Sequence, residues 1–363
     1  MAATAIGLVV LWPDDPTPPV PDVIGPPAEL ADASVTAVER RPCEGTDASQ
    51  NVICQEVSAR LTSGGEAGDT VPLEVSEGPG APRLDEGDRI VVGVVPGVRG
   101  GPEESTYYFS DYQRRTPLIV LGVCFALAVV ALARWRGVMA LAGLAVSLAV
   151  LVKFVLPAIL EGRSPVAVSV VGAAAIMFVA LYLAHGFNAQ TTTAVLGTLG
   201  SLLLVGVLAW AFVEASHFSG LASEEAGFLQ AAAGRVNLQG LLLGGIVIGS
   251  LGVLDDVTVT QASAVWELHQ ANPAYGFGRL FSAGLRIGRD HIASTVNTLV
   301  LAYAGASLPL LVLFTLSNRD LAGVLTGELV ATEVVRTLVG SLGLVAAVPL
   351  TTALAAAVAE RSP

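Results

Sequence analysis

Charge is what this sequence has least of. Of its 363 residues only 14% are Asp, Glu, Lys or Arg, 53% are hydrophobic, and mean hydropathy is +0.67. A soluble domain carries roughly 25% charged residues. A chain this poor in charge cannot cover a water-facing surface, so a soluble enzyme is excluded. Lysine occurs once, at 153, and the other 18 basic residues are Arg. Three cysteines and four histidines are spread along the chain without the spacing of a zinc site. There is no His-Glu-x-x-His and no Gly-x-Ser-x-Gly, which removes the common metalloprotease and serine-hydrolase signatures. No metal site and no cofactor is expected, and the chain is not expected to be an enzyme.

What is present is a series of apolar runs near 117–133, 138–159, 166–184, 191–213, 238–254, 292–316 and 337–358. Runs of about twenty residues are long enough to cross a hydrocarbon core of ~30 Å. The formal charge of −12 lies almost wholly ahead of them. Residues 1–115 hold 19 acids against 8 Arg, a net of −11, and residues 116–363 hold 12 acids against 11 Lys/Arg, a net of −1. An acidic polar part thus precedes a nearly neutral membrane part. Nucleic acid binds basic clusters, so it is not expected as a partner; membrane lipids are.

The acidic part has internal order. Met1–Trp12 is apolar but too short to cross unaided, and it reads as a partial first transmembrane helix or a tail. Seven prolines between Pro13 and Pro27 make an extended linker. Short β-type runs follow at 34–39, 52–57, 71–75 and 89–95, broken by glycine, as in a small β-barrel or sandwich. Cys43 and Cys54 flank a hairpin-like stretch. A bridge between them requires an oxidising compartment. With alternate crossings, Arg134, Arg136, Arg279, Arg286, Arg289 and Arg361 fall on one side, the expected cytoplasmic one, although Arg114, Arg115, Arg163, Arg235, Arg319 and Arg336 lie outside that set. The opposite side then receives residues 13–115. The expected fold is an α-helical polytopic membrane protein of about seven full transmembrane helices plus a truncated N-terminal one, with a small extracytoplasmic β-rich domain. Its parts are a partial helix 1–12, a Pro-rich linker 13–32, a β-barrel-like or sandwich domain 33–115, and a helical membrane domain 116–363.

Ionisable residues at membrane depth are costly and mark candidate function. Lys153 sits where it can snorkel, and His185 and His217 lie at segment ends. On a helical wheel Gly245, Gly249, Gly252, Asp256, Thr260, Ser263 and Glu267 share one line, and glycines on such a line permit close helix contact. The plain alternative is a tight packing groove whose polar end meets water. The adjacent carboxylates Asp255 and Asp256 raise each other's pKa and need a partner, which Arg289 or His291 can supply. Residues 276–290 place Phe277, Leu280, Phe281, Gly284, Leu285 and Gly288 on one face and Arg279, Ser282, Arg286 and Arg289 on the other, the pattern of a short basic helix lying in the interface. After it, Asp290, His291, Ser294, Thr295, Asn297 and Thr298 crowd one helix start. Ser and Thr can bond their own backbone; Asp290, His291 and Asn297 need cross-helix partners or water, for which Asp255 and Asp256 are candidates.

The segments Gly252-Val-Leu-Asp-Asp-Val-Thr-Val-Thr-Gln261 and Gly288-Arg-Asp-His-Ile-Ala-Ser-Thr-Val-Asn-Thr-Leu-Val-Leu-Ala-Tyr-Ala-Gly-Ala-Ser307 resemble the YibE/F-like family of bacterial multi-pass membrane proteins. Tyr108–Arg115 adds to the resemblance, which covers roughly residues 30–358. It implies a plasma-membrane location with an extracytoplasmic soluble portion, and no settled activity. Three expectations are carried forward. The first is a transporter or permease for a small ion or solute, in which Asp255, Asp256, Gln261, Asp290, His291, Ser294, Thr295, Asn297 and Thr298 form a polar cluster at the cytoplasmic mouth. The second is a non-transporting partner of another envelope component, bound through the acidic β-domain. The third is an intramembrane enzyme, which a single Asp-Asp pair supports poorly.

Overall fold

The computed structural model describes residues 1–14, 29–42, 53–78, 80–95, 105–316 and 320–361. The chain divides into two compact units, one of residues 24–128 and one of residues 1–23 with 129–363. Most of the 13–32 linker, and Cys43 with its loop, lie outside the described residues.

The first unit carries five strands, β1 (Glu29–Pro42), β2 (Ile53–Leu61), β3 (Thr70–Ser76), β4 (Arg89–Val95) and β5 (Thr106–Tyr112), in the order β3-β2-β1-β4-β5. Every neighbouring pair is antiparallel. The spatial order 4-1-2-3 is a Greek key. The first half of β1 pairs with β4 and its second half with β2, with a register shift between Val35 and Ala37 that lets one strand serve both partners. The two edges, β3 and β5, run parallel and approach each other without a ladder, leaving a partly open barrel like the OB type.

Alternation drives this packing. Val71, Leu73 and Val75 of β3 point inward with Val57, Ala59 and Leu61 of β2 and Ile90 and Val92 of β4. Gln55 is fully buried, donating from Nε2 to the Pro82 carbonyl and accepting from the Leu84 amide, both at 2.9 Å, which pins the β3–β4 connection over the core. The expected β-domain is therefore present. β5 was not among the expected runs, although its aromatic residues suit a strand, and Tyr107, Phe109 and Tyr112 turn toward the core.

The second unit is helical. Its elements are α1 (Ala2–Val10), α2 (Arg115–Val150, begun in the first unit), a π-helical turn (Leu151–Val155), α3 (Leu156–Leu160), α4 (Pro165–His185), α5 (Ala189–Ala215), α6 (Glu224–Ala232), α7 (Leu238–Ala271), α8 (Phe277–Ala306), α9 (Leu308–Leu316), α10 (Leu321–Thr326) and α11 (Glu328–Ala359). Five stretches are long and apolar enough to cross a membrane, and six if α8 and α9, bent by 63°, form one broken span. The segments expected at 117–133 and 138–159 are both helical, within one run from Arg115 to Leu160. It breaks at Arg134 (φ 53°, ψ −129°), inside the expected Arg134-Trp-Arg136 turn. The fold-back is sharp: a Cβ at Gly137 would sit 2.6 Å from the Val129 carbonyl oxygen.

α7 is the central helix, packed by α4, α5, α8 and α11. Contacts fix the directions. Ser250 and Gly340, Leu254 and Gly343, and Gln261 and Thr352 rise together along α7 and α11, so those two helices run parallel. α5 runs against α7, as Gln190–Ser263 and Thr198–Thr258 show, and α8 runs against α11, with Gly284 beside Thr352 and Leu299 beside Gly340. The core between them is Val205, Ala209, Ile246, Leu254, Leu344 and Val348 with their neighbours.

Candidate functional site in the helical unit

The two adjacent carboxylates of α7 diverge. Asp255 is partly buried and turned toward α5, where the Thr198 hydroxyl contacts its carboxyl, and its Oδ1 is buried with no hydrogen-bond partner. Thr198 and Thr258 share a hydrogen bond of 2.7 Å across α5 and α7, and Thr258 also reaches the Asp255 carbonyl at 3.2 Å. One turn further, Gln190 donates to Ser263 at 2.6 Å. Asp256 is exposed on another face of the helix. The expected mutual pairing of Asp255, Asp256, Asp290 and His291 is not found: no ion pair or hydrogen bond joins them among the described residues. Successive residues on a helix face different ways, and α8 presents Asp290 and His291 outward.

Gln261 is brought into the core instead. It is 2% exposed and donates from Nε2 to the Gly284 carbonyl of α8 and to Thr352 Oγ1 of α11, both at 2.7 Å. Glycine lets the three helices meet there. A Cβ at Gly288 would lie 2.3 Å from Val348 Cγ1 and one at Gly284 would lie 2.9 Å from Thr352 Cγ2.

The seam expected to close a helix contact does not close one. Gly245, Gly249 and Gly252 are exposed. A Cβ at Gly252 would meet nothing within 4 Å, one at Gly249 only the Tyr303 hydroxyl at 3.3 Å, and one at Gly245 only Arg336 Nη2 at 4.0 Å. The close glycine contact of α7 lies on the other line, Gly240 and Gly244, where a Cβ at Gly244 would fall 2.2 Å from Ser169 Oγ of α4. The exposed line is therefore an open strip of α7 that runs from Arg336 past Tyr303 to Asp256. At its Arg336 end, Gly245, Ser169, Glu333 and Arg336 line a cavity of about 410 Å³ walled by apolar residues of α3, α7 and α11. Arg336 Nη1 donates to both carboxylate oxygens of Glu333, at 2.9 and 3.2 Å, while its buried Nε has no partner.

On α8, Asp290, His291, Ser294, Asn297 and Thr298 are exposed, and Thr295 is half-buried. Thr298 bonds back to the Ser294 carbonyl at 3.0 Å. Arg279, Arg286 and Arg289 are exposed too, and Arg279 lies over the Tyr275 ring at 5.6 Å. The expected separate basic helix at 276–290 is the first half of the continuous α8, and its apolar residues Leu280, Gly284 and Gly288 are covered by α7 and α11. Phe277, at the start of that face, is 40% exposed.

Thr198, Thr258, Thr352, Glu333 and Arg336 were not among the expected site residues. The run Thr191-Thr-Thr-Ala-Val-Leu-Gly-Thr198 carries a signal for the first, since a hydroxyl-rich face in an apolar span marks helix contact. In the β-domain, Cys54 is disulfide-bonded, whereas Cys124 of α2 is a free thiol. Among the described residues no three His, Cys, Asp or Glu side chains are grouped to hold a metal ion.

No curated protein and no solved structure matches the sequence. A family model does, over residues 121–361, a range that includes both quoted motifs and the whole of the α4–α11 bundle. That match takes in well over half of the chain, which therefore belongs to the YibE/F-like protein family.

Proposed function

We propose that this chain is a plasma-membrane permease for a small ion or polar solute, working through the face of α7 that carries the glycine line and Asp256. The carrying observation is that open strip of α7. It has no side chains at Gly245, Gly249 and Gly252, and ionisable groups stand at both ends, Glu333 with Arg336 at one and Asp256 at the other. Intramembrane ionisable groups beside a cavity are the usual signature of an ion or solute path. Carboxylate and hydroxyl oxygens favour small hard cations or protons. In this reading Asp256 is the accessible binding carboxylate, and Asp255, held against the Thr198 hydroxyl of α5, senses the packing of α5 on α7. The β-domain lies on the extracytoplasmic side, where its disulfide is stable.

The test is counter-ion flux in proteoliposomes. Asp256→Asn keeps the shape and removes the charge; it abolishes pH- or cation-dependent flux while leaving expression and melting temperature nearly unchanged. Wild-type-level flux through Asp256→Asn refutes the assignment.

A second reading, a non-transporting envelope partner, draws on the gap between β3 and β5. That gap is lined by Glu56, Glu66, Asp69, Glu74 and Tyr107, an acidic groove suited to a cationic partner surface. Absence of any flux from the wild-type protein, together with capture of one envelope protein that is lost on charge reversal at Glu66 and Asp69, favours it.

A further inference from the structure

α8 buries Leu280, Gly284, Gly288 and Leu299 against its neighbours, with Leu285, Ile292 and Val296 half-buried beside them. The depth of its other face is set by Leu299, which packs on Gly340 of α11; a Cβ at Gly340 would be 3.8 Å from Leu299 Cδ2 and 3.3 Å from Ser250 Oγ of α7. Both glycine and serine lie well inside helices apolar enough to span a membrane. Ser294, Asn297 and Thr298, within about one and a half turns of Leu299, therefore stand at membrane depth and are exposed. Ser294 Oγ, the Asn297 carboxamide, Asp290 and His291 have no hydrogen-bond or ion-pair partner among the described residues, and only Thr298 satisfies itself on its own helix. Hydrocarbon offers such groups nothing.

Their spacing is ordered. Ile287, Asp290, Ser294, Asn297 and Leu301 follow steps of three, four, three and four residues and are all exposed. That is the repeat of a helix seam that wraps a second helix. The polar members are also complementary to themselves. A carboxamide and a hydroxyl each donate and accept, so each is answered by its own copy, and Asp290 is flanked by Arg289 and His291, cations that a twofold-related chain returns to it.

We infer that this seam is the contact of a homodimer, covered by α8 of a second copy of the chain. Ile287 and Leu301, 39% and 61% exposed, are the apolar knobs at either end, and Asn297 fixes the register in the manner of a single buried Asn in a coiled coil. The inference does not depend on transport: it stands or falls on oligomeric state and on which face is shared.

The experiment uses the full chain with Cys124→Ser and one added cysteine, oxidised in native membranes. Ser294→Cys, Asn297→Cys and Leu301→Cys give a cross-linked dimer, whereas Leu203→Cys, on an exposed face of α5 (72% exposed), does not. Photobleaching of dilute nanodisc preparations counts two subunits. Asn297→Leu keeps the fold, since the residue is exposed, and weakens dimerisation roughly three- to thirtyfold, the factor for one interhelical hydrogen bond in a membrane. A one-subunit count, a two-subunit count without cross-links at the three seam positions, cross-links from those positions to a different protein, or an unchanged dimer in Asn297→Leu each overturns the inference.

Discussion

Gln261 makes a strong demand on the bundle, because one side chain closes three helices at once. Its Nε2 holds the Gly284 carbonyl and Thr352 Oγ1 at 2.7 Å each, and Val265 and Thr352 pack around the adjoining glycines. Gln261→Met keeps the length and flexibility of the side chain and removes both hydrogen bonds. Gly284 O retains its own helix and Thr352 Oγ1 still donates to the Val348 carbonyl at 2.6 Å, so no partner is left wholly unpaired. Interhelical hydrogen bonds in membranes contribute about 0.6 kcal/mol each and at most ~1.7. The expected loss is therefore about 1–3 kcal/mol. Gln261→Ala adds a cavity in a close-packed core and loses about 2–5 kcal/mol, on the scale of large-to-small core substitutions. Gly288→Ala attacks the same crossing from the other side. Its Cβ would lie 2.3 Å from Val348 Cγ1 and 2.8 Å from Gln261 Oε1, an overpacking of about 1–3 kcal/mol. Reversible unfolding in mixed micelles measures all three. Gln261→Met within about 0.5 kcal/mol of the wild type would refute the clamp.

Three further outcomes follow from the same geometry. Gly252→Ala meets nothing within 4 Å and is neutral or stabilising by up to ~1 kcal/mol through helix propensity; marked destabilisation in the unfolding assay shows that this face of α7 is covered. Gln55→Ala leaves the Leu84 amide buried without its acceptor, costing about 1–3 kcal/mol, and lowers the melting temperature of the β-domain by calorimetry. Tyr107 donates to the Glu66 carboxylate, which pushes its phenol above the usual tyrosine value, with burial adding to the shift. A raised folded pKa means that this contribution is full below about pH 10 and is lost as pH rises through the shifted value. Tyrosinate absorbance should therefore show a late-titrating phenol that disappears in Tyr107→Phe, and Glu66→Gln should bring it back toward the ordinary value.

Composition and apolar period are local properties, and they were enough for a helical unit with apolar helices of membrane-spanning length, though five or six rather than the expected seven, for the β-domain ahead of it and for the break at Arg134. The strands of β1 through β4 were legible from alternation, while β5 was passed over because Thr106-Tyr-Tyr-Phe-Ser-Asp-Tyr112 carries its strand signal in aromatics rather than aliphatic residues. The helix seam of α7 was harder. Gly240/Gly244 and Gly245/Gly249/Gly252 both satisfy a small-residue spacing, and a wheel orders residues by angle without saying which angle meets a neighbour. That is decided by Ser169 on α4, some 75 positions away in sequence, a contact no periodicity contains. Gln261 was singled out within a polar stretch, but its role as a buried pin depended on Gly284 and Thr352 arriving from two other helices.

Asp255 and Asp256 show most plainly what adjacency conceals. As neighbours in sequence they invite treatment as one acidic dyad, yet on a helix they stand about 100° apart. One turns to the Thr198 hydroxyl of α5 and the other to the open face of α7. Neighbouring carboxylates that share no partner should couple only through space, by less than about 1 kcal/mol when one of them stands in solvent. A double-mutant cycle of Asp255→Asn and Asp256→Asn is thus expected to be additive in unfolding free energy. Asp255→Asn should also respond to Thr198→Val, because that hydroxyl contacts its carboxyl, whereas Asp256→Asn should be indifferent to it. Coupling of more than about 1 kcal/mol between the two aspartates would mean that they share a proton or an ion after all, and the division of labour proposed for them would fall. Additivity, with Thr198 coupled to Asp255 alone, leaves two carboxylates at one level of the bundle facing two different environments, one inside the helix packing and one open to whatever enters along α7.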